Sequence, residues 1–306
     1  ERMSAAFQRA FLRTCFKPLI GPPFGARAQR RAVDLLAPLM PGVRGVGYRE
    51  LLVDRLPVEL VTPEQVGEGA LLFLHGGAFC LGRPRTHRSI TSRLAQGAGM
   101  PVWVPDYRLA PEHPYPAALD DALACYDAML ASGIRPQQIV LAGDSAGASL
   151  ALAVALRLRA RGGPAPAALA LISPVTRIPA PEAEAQPHAA LDPMVRAAWV
   201  RQGIAWYACP PEVDAHHPLR CDLGGLPPML VQAGDEEILL PDAQQLVEHA
   251  SACGVDCRFE LHRGRWHVFH LQAFYLRSAA NAIGALAQFA RERVRTEAAA
   301  RAGAPR

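Results

Sequence analysis

The chain lacks the marks of several protein classes. No apolar run in its 306 residues approaches bilayer-spanning length. No signal-peptide pattern opens it, although it starts at Glu1 rather than Met, which leaves room for a preceding segment. The net charge is only +4, and the Arg residues are scattered with no basic run interleaved with aromatics. Nucleic acid is therefore excluded as the expected partner, and no stable membrane anchor is expected. The seven cysteines are an odd number without framework or metal-ligand spacing. Cys253 and Cys257 straddle Gly254, and no second pair matches them. Such usage argues against a disulfide-stapled module and for free thiols in a reducing compartment, the cytoplasm. There is no internal repeat and no low-complexity linker. What remains is a globular composition, 50% hydrophobic and 20% charged, long enough for one large α/β domain.

The most informative stretch is Ile139 to Ala148. An apolar, β-branched run enters Gly143-Asp144-Ser145-Ala146-Gly147, and a segment rich in Ala, Leu and Arg follows from Ser149 to Arg161. Strand, tight turn and helix are the context of a nucleophile elbow. The turn strains the Ser backbone and exposes its hydroxyl at a helix N-terminus, where free N–H groups favour negative charge. Two glycines that merely pack a strand on a helix give the same pentapeptide, so its surroundings decide.

Taken in order, residues 4–16 form an amphipathic helix (Phe7, Phe11, Leu12, Phe16 against Arg9 and Arg13), to be packed on the protein itself or on a membrane surface. A second helix is predicted over 29–40 and a hairpin over 46–61, with Pro57 near its turn. From residue 70, strands at 70–74, 101–105, 139–144, 168–172, 229–233 and 257–261 alternate with helices near 86–98, 117–131, 149–161 and 241–253. The last helix is predicted over 270–294, with a frayed tail over 298–306. Alternation predicts one α/β domain over 1–306, its sheet mostly parallel with helices on both faces. Residues 1–45 and 180–215 fall outside the alternation, with a Pro- and Glu-rich loop at 179–187 and a helix at 192–208. They are candidates for a helical cap over the carboxyl ends of the strands, where such sheets bind ligands.

A serine hydroxyl needs a base, and the base an acid, in the chain order Ser, acid, His. His267 follows the final strand run, and it is expected to open the last helix. His188, His216 and His217 lie in the insert, His249 lies within a helix, and His262 ends a strand. Asp235, Glu236 and Glu237 all follow the strand 229–233, and either acid type can orient an imidazole. The two not used are expected to be solvated or to cap the next helix. His75-Gly76-Gly77-Ala78 follows a strand before the elbow, where an oxyanion hole is built. Gly77 and Ala78, with Ala146 and the nearby Gly76, are the candidate donors.

With His75–Phe79, Asp106-Tyr107-Arg108-Leu109-Ala110-Pro111-Glu112 and Gly143–Gly147 in hand, the sequence resembles the hormone-sensitive-lipase family of α/β-hydrolases, bacterial carboxylesterase branch. The resemblance covers about residues 70–275. It implies the α/β-hydrolase fold with a two-part cap and a small-molecule ester substrate of short to medium acyl length. It implies no cofactor or metal, and it allows a homodimer. Ser145 becomes the nucleophile and His267 the base. Aligned without gaps from Pro227-Pro228, the family's Asp falls on Glu237, with Asp235 as the alternative acid. Ala78 stands where the family has a third Gly, so the hole is expected to require an ordinary backbone conformation there. Phe7, Phe11, Trp199, Trp206 and Tyr207 are the candidate pocket aromatics. Two rival readings are an amidase or formamidase on the same fold and a non-catalytic ligand receptor. The receptors that resemble this family lack the His that is present here as His267.

Overall fold

A computed structural model describes residues 1–177 and 187–302. Its eight-stranded sheet runs in the order β1-β2-β4-β3-β5-β6-β7-β8. The strands are β1 (Val46–Val53), β2 (Leu56–Pro63), β3 (Ala70–Leu74), β4 (Val102–Pro105), β5 (Ile139–Asp144), β6 (Ala168–Ile172), β7 (Met229–Gly234) and β8 (Cys257–His262). β1 and β2 form the expected hairpin, but it extends the main sheet, since β2 pairs antiparallel with β4. From β4 to β8 every pairing is parallel. Strands β3, β5, β6 and β7 are buried at every position, which is why they read as continuous apolar runs.

The helices are α1 (Arg2–Phe11), α2 (Ala26–Leu36), α3 (Arg88–Ala98), α4 (Ala117–Ala131), α5 (Ala146–Ala160), α6 (Ala197–Tyr207), α7 (Leu240–Ala252) and α8 (Arg277–Ala302). α3 packs on α8 along one face of the sheet, and α4 on α5 along the other. The α3–α8 approach is close enough that a Cβ on Gly97 would lie 2.9 Å from the Ala287 methyl.

Several boundaries differ from expectation. The first helix ends as α1, and a wider π-type turn continues it over Leu12–Phe16. α8 begins at Arg277 rather than 270, because Phe269–Gln272 form a separate 3₁₀ turn, so His267 sits in a loop and opens no helix. The tail expected to fray from 298 is helical to Ala302. The insert helix starts only at Ala197, since Asp192 Oδ1 accepts from the Met194 and Val195 N–H groups and bends the chain there. The loop expected over 179–187 lies, through residue 186, outside the described residues.

The two segments outside the alternation meet each other. Arg196 donates to the Ile20 carbonyl, Gln29 donates to Gln202 at 2.8 Å, and Trp199 packs against Gly21. Side chains from both segments (Phe7, Phe11 and Met40 from one, Met194 and Trp199 from the other) line a cavity shared with Ser145 and His267, which follow β5 and β8. No helix among the described residues is long and apolar enough to cross a membrane.

Candidate active site

Ser145 occupies the turn between β5 and α5 with φ 53° and ψ −120°, the strained conformation that an elbow demands. Both flanking glycines are required by space. A Cβ on Gly147 would lie 1.9 Å from the Leu74 carbonyl oxygen, and one on Gly143 would lie 2.5 Å from that of Gly147. Ser145 Oγ lies 2.9 Å from Nε2 of His267, within range for direct proton transfer.

The three acids after β7 separate cleanly. Glu237 is fully buried, and its Oε2 accepts from the Ser173 hydroxyl at 2.7 Å and the Gly234 N–H at 3.1 Å. Its other oxygen faces Nδ1 of His267 at 4.0 Å, and neither atom has a hydrogen-bond partner among the described residues. A small rotation of either side chain closes that gap, as is common when a substrate-free site tightens. Asp235 instead braces the 264–265 turn, accepting from the Gly264 N–H at 2.6 Å. Glu236 pairs with Arg9 of α1. The two spare acids thus cap no helix; both stay partly exposed, and each is engaged, Asp235 with the 264–265 turn and Glu236 with Arg9.

The oxyanion loop corrects two expectations. The Gly76 N–H donates to Asp144 Oδ1 at 2.9 Å, so Gly76 is not an oxyanion donor. His87 Nε2 stands 3.4 Å from the same oxygen. Ala78 has φ 52° and Phe79 φ 61°, so the third position of the loop does adopt the left-handed region that its methyl disfavours. The N–H groups of Gly77 and Ala78 have no acceptor among the described residues. The Ala78 methyl abuts Gly203 of α6, where a Cβ would come within 2.5 Å of it. His75 lies beneath, stacked on Tyr107 at 4.2 Å, with the Tyr107 hydroxyl donating to its carbonyl.

An apolar cavity of about 260 Å³ opens onto Ser145 and His267. Phe7, Phe11 and Trp199 line it with Leu12, Met40 and Met194. Trp206 and Tyr207 do not. Tyr207 is buried, stacked on Phe79 at 3.9 Å and bonded to His216 at 3.0 Å, and Trp206 packs against the core. Helical periodicity placed all three aromatics on α6 but could not say which faced the cavity. The Ser149–His216 contact at 3.3 Å is likewise internal, since both side chains are buried and neither lines the cavity.

Sequence reasoning missed Ser173, Asp144 and Asp192. Ser173 Oγ joins Glu237 to the Val268 N–H, next to His267. The signal was a polar residue directly after β6. Asp192 is fully buried and accepts from Met194 N, Val195 N and Ile238 N at 2.8, 3.0 and 3.1 Å, tying the insert to the loop that carries Glu237. Asp192→Ala strands three buried donors and is expected to cost about 3 kcal/mol of unfolding free energy in urea titration. Asp192→Asn, which keeps one carbonyl oxygen, costs less. Equal stability of Asp192→Ala and the unmutated protein would remove this role.

Burial sets the protonation of the site. It lowers His267 to about 4 and raises Glu237 to about 8. It also lowers His75 and His216 to about 3 and His270 well below the usual range, while raising Asp192 to about 6. The four imidazoles take up protons on unfolding below about pH 6.5, so acid favours the unfolded chain. The two carboxyls hold protons in the folded state and act in the opposite sense. His262, lowered by burial, and Asp106, raised by it, join the two sides, and five imidazoles against three carboxyls still leave the unfolded chain binding more protons between about pH 4.5 and 6. Tm by calorimetry is therefore expected to be lower at pH 5 than at pH 6.5, and a higher Tm at pH 5 would contradict these assignments.

The fold and this site define an α/β-hydrolase, and residues 71–271 match the family model of that fold. The chain is 35% identical over 266 residues to an esterase of Acinetobacter venetianus, covering 86% of this chain and 88% of that one. It is 38% identical over 222 residues to an acetyl-hydrolase of Streptomyces hygroscopicus, covering 71% and 74% respectively. A crystal structure of an esterase from the bacterial hormone-sensitive lipase family superposes with a TM-score of 0.89 at 34% identity, covering 95% of this chain and 98% of that chain. The chain belongs to the hormone-sensitive-lipase family of α/β-hydrolases.

Proposed function

We infer that the chain is a serine carboxylic ester hydrolase that works through an acyl-enzyme. The observation that carries this reading is the 2.9 Å contact between Ser145 Oγ and His267 Nε2 on a strained elbow beneath an apolar cavity. Ser145 attacks the ester carbonyl as His267 Nε2 takes its proton. Glu237, which burial keeps protonated while the pair stands 4.0 Å apart, ionises as Oε1 closes on His267 Nδ1, because the cation forming beside it favours the carboxylate, and in that form it stabilises the imidazolium. The N–H groups of Gly77, Ala78 and Ala146 hold the oxyanion. The alcohol leaves with the proton from His267, and water repeats the sequence to release the acid.

Residues 1–45 and the described part of 180–215 act as a cap, with Phe7, Phe11 and Trp199 holding the apolar part of a short- to medium-chain ester. All seven cysteines are free thiols, which supports a cytoplasmic location. The test is kcat/KM on p-nitrophenyl esters from acetate to dodecanoate beside the matching butyryl anilide. A maximum between butyrate and octanoate, with little turnover of the anilide, is expected. Anilide turnover equal to that of the ester supports the amidase reading, and ligand binding with no turnover supports the receptor reading.

A further inference from the structure

The N-terminal segment carries an unusual share of positive charge. Residues 1–45 hold eight Lys and Arg against Glu1 and Asp34, a net +6, so the other 261 residues carry −2 of the chain's +4. The two acids are already engaged, Glu1 with Arg265 and Asp34 with Arg85. Arg27 and Arg31, exposed on successive turns of α2, make no direct ion pair among the described residues; Arg27 only adds to the field at Glu112, whose carboxylate is held by Arg30.

The same segment surrounds the mouth of the catalytic cavity with exposed apolar side chains. Phe7, Leu39 and Tyr275 line the cavity and yet are 67%, 43% and 39% exposed. One turn before Phe7 stands Met3 at 88%, and one turn before Leu39 stands Leu35 at 79%. Phe274, 59% exposed, meets Tyr275 at 5.1 Å, and Ser4 Oγ ties α1 to the Tyr275 carbonyl. Along α2, Arg27, Arg31 and Leu35 follow at intervals of four, and Leu39 closes the 3₁₀ turn Ala37–Leu39 that continues the helix, so the exposed side changes from cationic to apolar toward the mouth. An apolar rim of this kind marks an interaction surface, and basic residues beside it suit an anionic lipid–water boundary.

We propose that this rim docks reversibly on an anionic lipid surface, so that the cavity mouth faces the lipid and takes up esters dissolved in it. The proposal depends on the hydrolase reading only for what the docked cavity does; the binding itself does not depend on it. The favoured charge is anionic because the unpaired groups beside the rim are guanidiniums. The contact is reversible because it rests on a few side chains, and no helix among the described residues is long and apolar enough to span.

The test is co-flotation of the purified chain, and of Ser145→Ala, with phosphatidylglycerol or phosphatidylcholine vesicles at low salt. Both proteins are expected to partition at least about tenfold more strongly onto phosphatidylglycerol. Arg27→Gln with Arg31→Gln should weaken that binding about thirty-fold. Met3→Asp with Leu35→Asp should weaken it at least about tenfold, with hydrolysis of p-nitrophenyl acetate in vesicle-free buffer unchanged. Absence of flotation, equal partition onto both lipids, or indifference to both double variants would overturn the proposal. So would light scattering that shows a dimer which Met3→Asp with Leu35→Asp dissociates, because a second copy then covers the rim. Lost hydrolysis of every ester with flotation intact would instead sink the hydrolase reading and leave the docking surface standing.

Discussion

Glu237→Gln lowers kcat for p-nitrophenyl butyrate by about 10⁴-fold, while Asp235→Asn changes it by less than about tenfold. The first figure is the size of effect an amide has when it replaces the orienting acid of a Ser–His pair, because the imidazole is then held in the wrong tautomer. The proposed mechanism gives this role to Glu237, and the geometry supports it. Its Oε2 is occupied by the Ser173 hydroxyl and the Gly234 N–H, and its Oε1 points at His267 Nδ1 from 4.0 Å with no other partner among the described residues. Gln keeps one oxygen for those donors but brings an amide that cannot stabilise an imidazolium. Asp235 spends its carboxylate on the Gly264 and Arg265 N–H groups, so its loss loosens a turn beside the site and leaves the acid in place. A larger loss in kcat at Asp235 than at Glu237 would reverse the assignment.

Gly77→Ala is expected to lower kcat/KM by about 10² to 10³, the range for removing one oxyanion donor. Gly77 has φ +118°, outside the reach of a side chain, and a Cβ there would lie 2.3 Å from the Leu81 carbonyl oxygen. The loop must move to accept it, and the unpartnered Gly77 and Ala78 N–H groups move too. Ala78→Gly is the informative companion. It relieves a left-handed alanine, worth about 1 kcal/mol, but removes the methyl that meets Gly203 of α6. Its kcat/KM should stay within about fivefold of the unmutated protein, since both costs fall on the loop's stability and its N–H donors remain. A wild-type rate in Gly77→Ala would mean that the oxyanion is held elsewhere.

The parts of this account that were legible in the sequence are those fixed by short-range necessity. Gly143 and Gly147 are readable because the strand–helix crossing leaves no volume for a Cβ, whatever the rest of the chain does. The strands β3, β5, β6 and β7 are readable because burial on both faces demands unbroken apolar runs. Counting from Pro227-Pro228 singled out Glu237, and the structure places that residue, not Asp235, beside His267.

What escaped depends on contacts between distant segments. Ser173 serves Glu237 across 64 positions, and Asp192 serves Ile238 across 46. Ser173 has only its place directly after β6 to mark it, and nothing local marks Asp192. Periodicity gave α6 a buried side without saying that Trp199 meets the cavity and Tyr207 meets Phe79. The positive φ at Ala78 was out of reach because propensity argues against it, and only the surrounding loop imposes it.

The most direct measurement is peptide mapping after reaction with a p-nitrophenyl alkylphosphonate, which leaves a stable adduct on an activated serine. The account predicts one adduct per chain, on Ser145, with esterase activity lost in proportion to labelling and no adduct in His267→Ala. An adduct on Ser149 or any other side chain, or full labelling of Ser145 with activity intact, would contradict it.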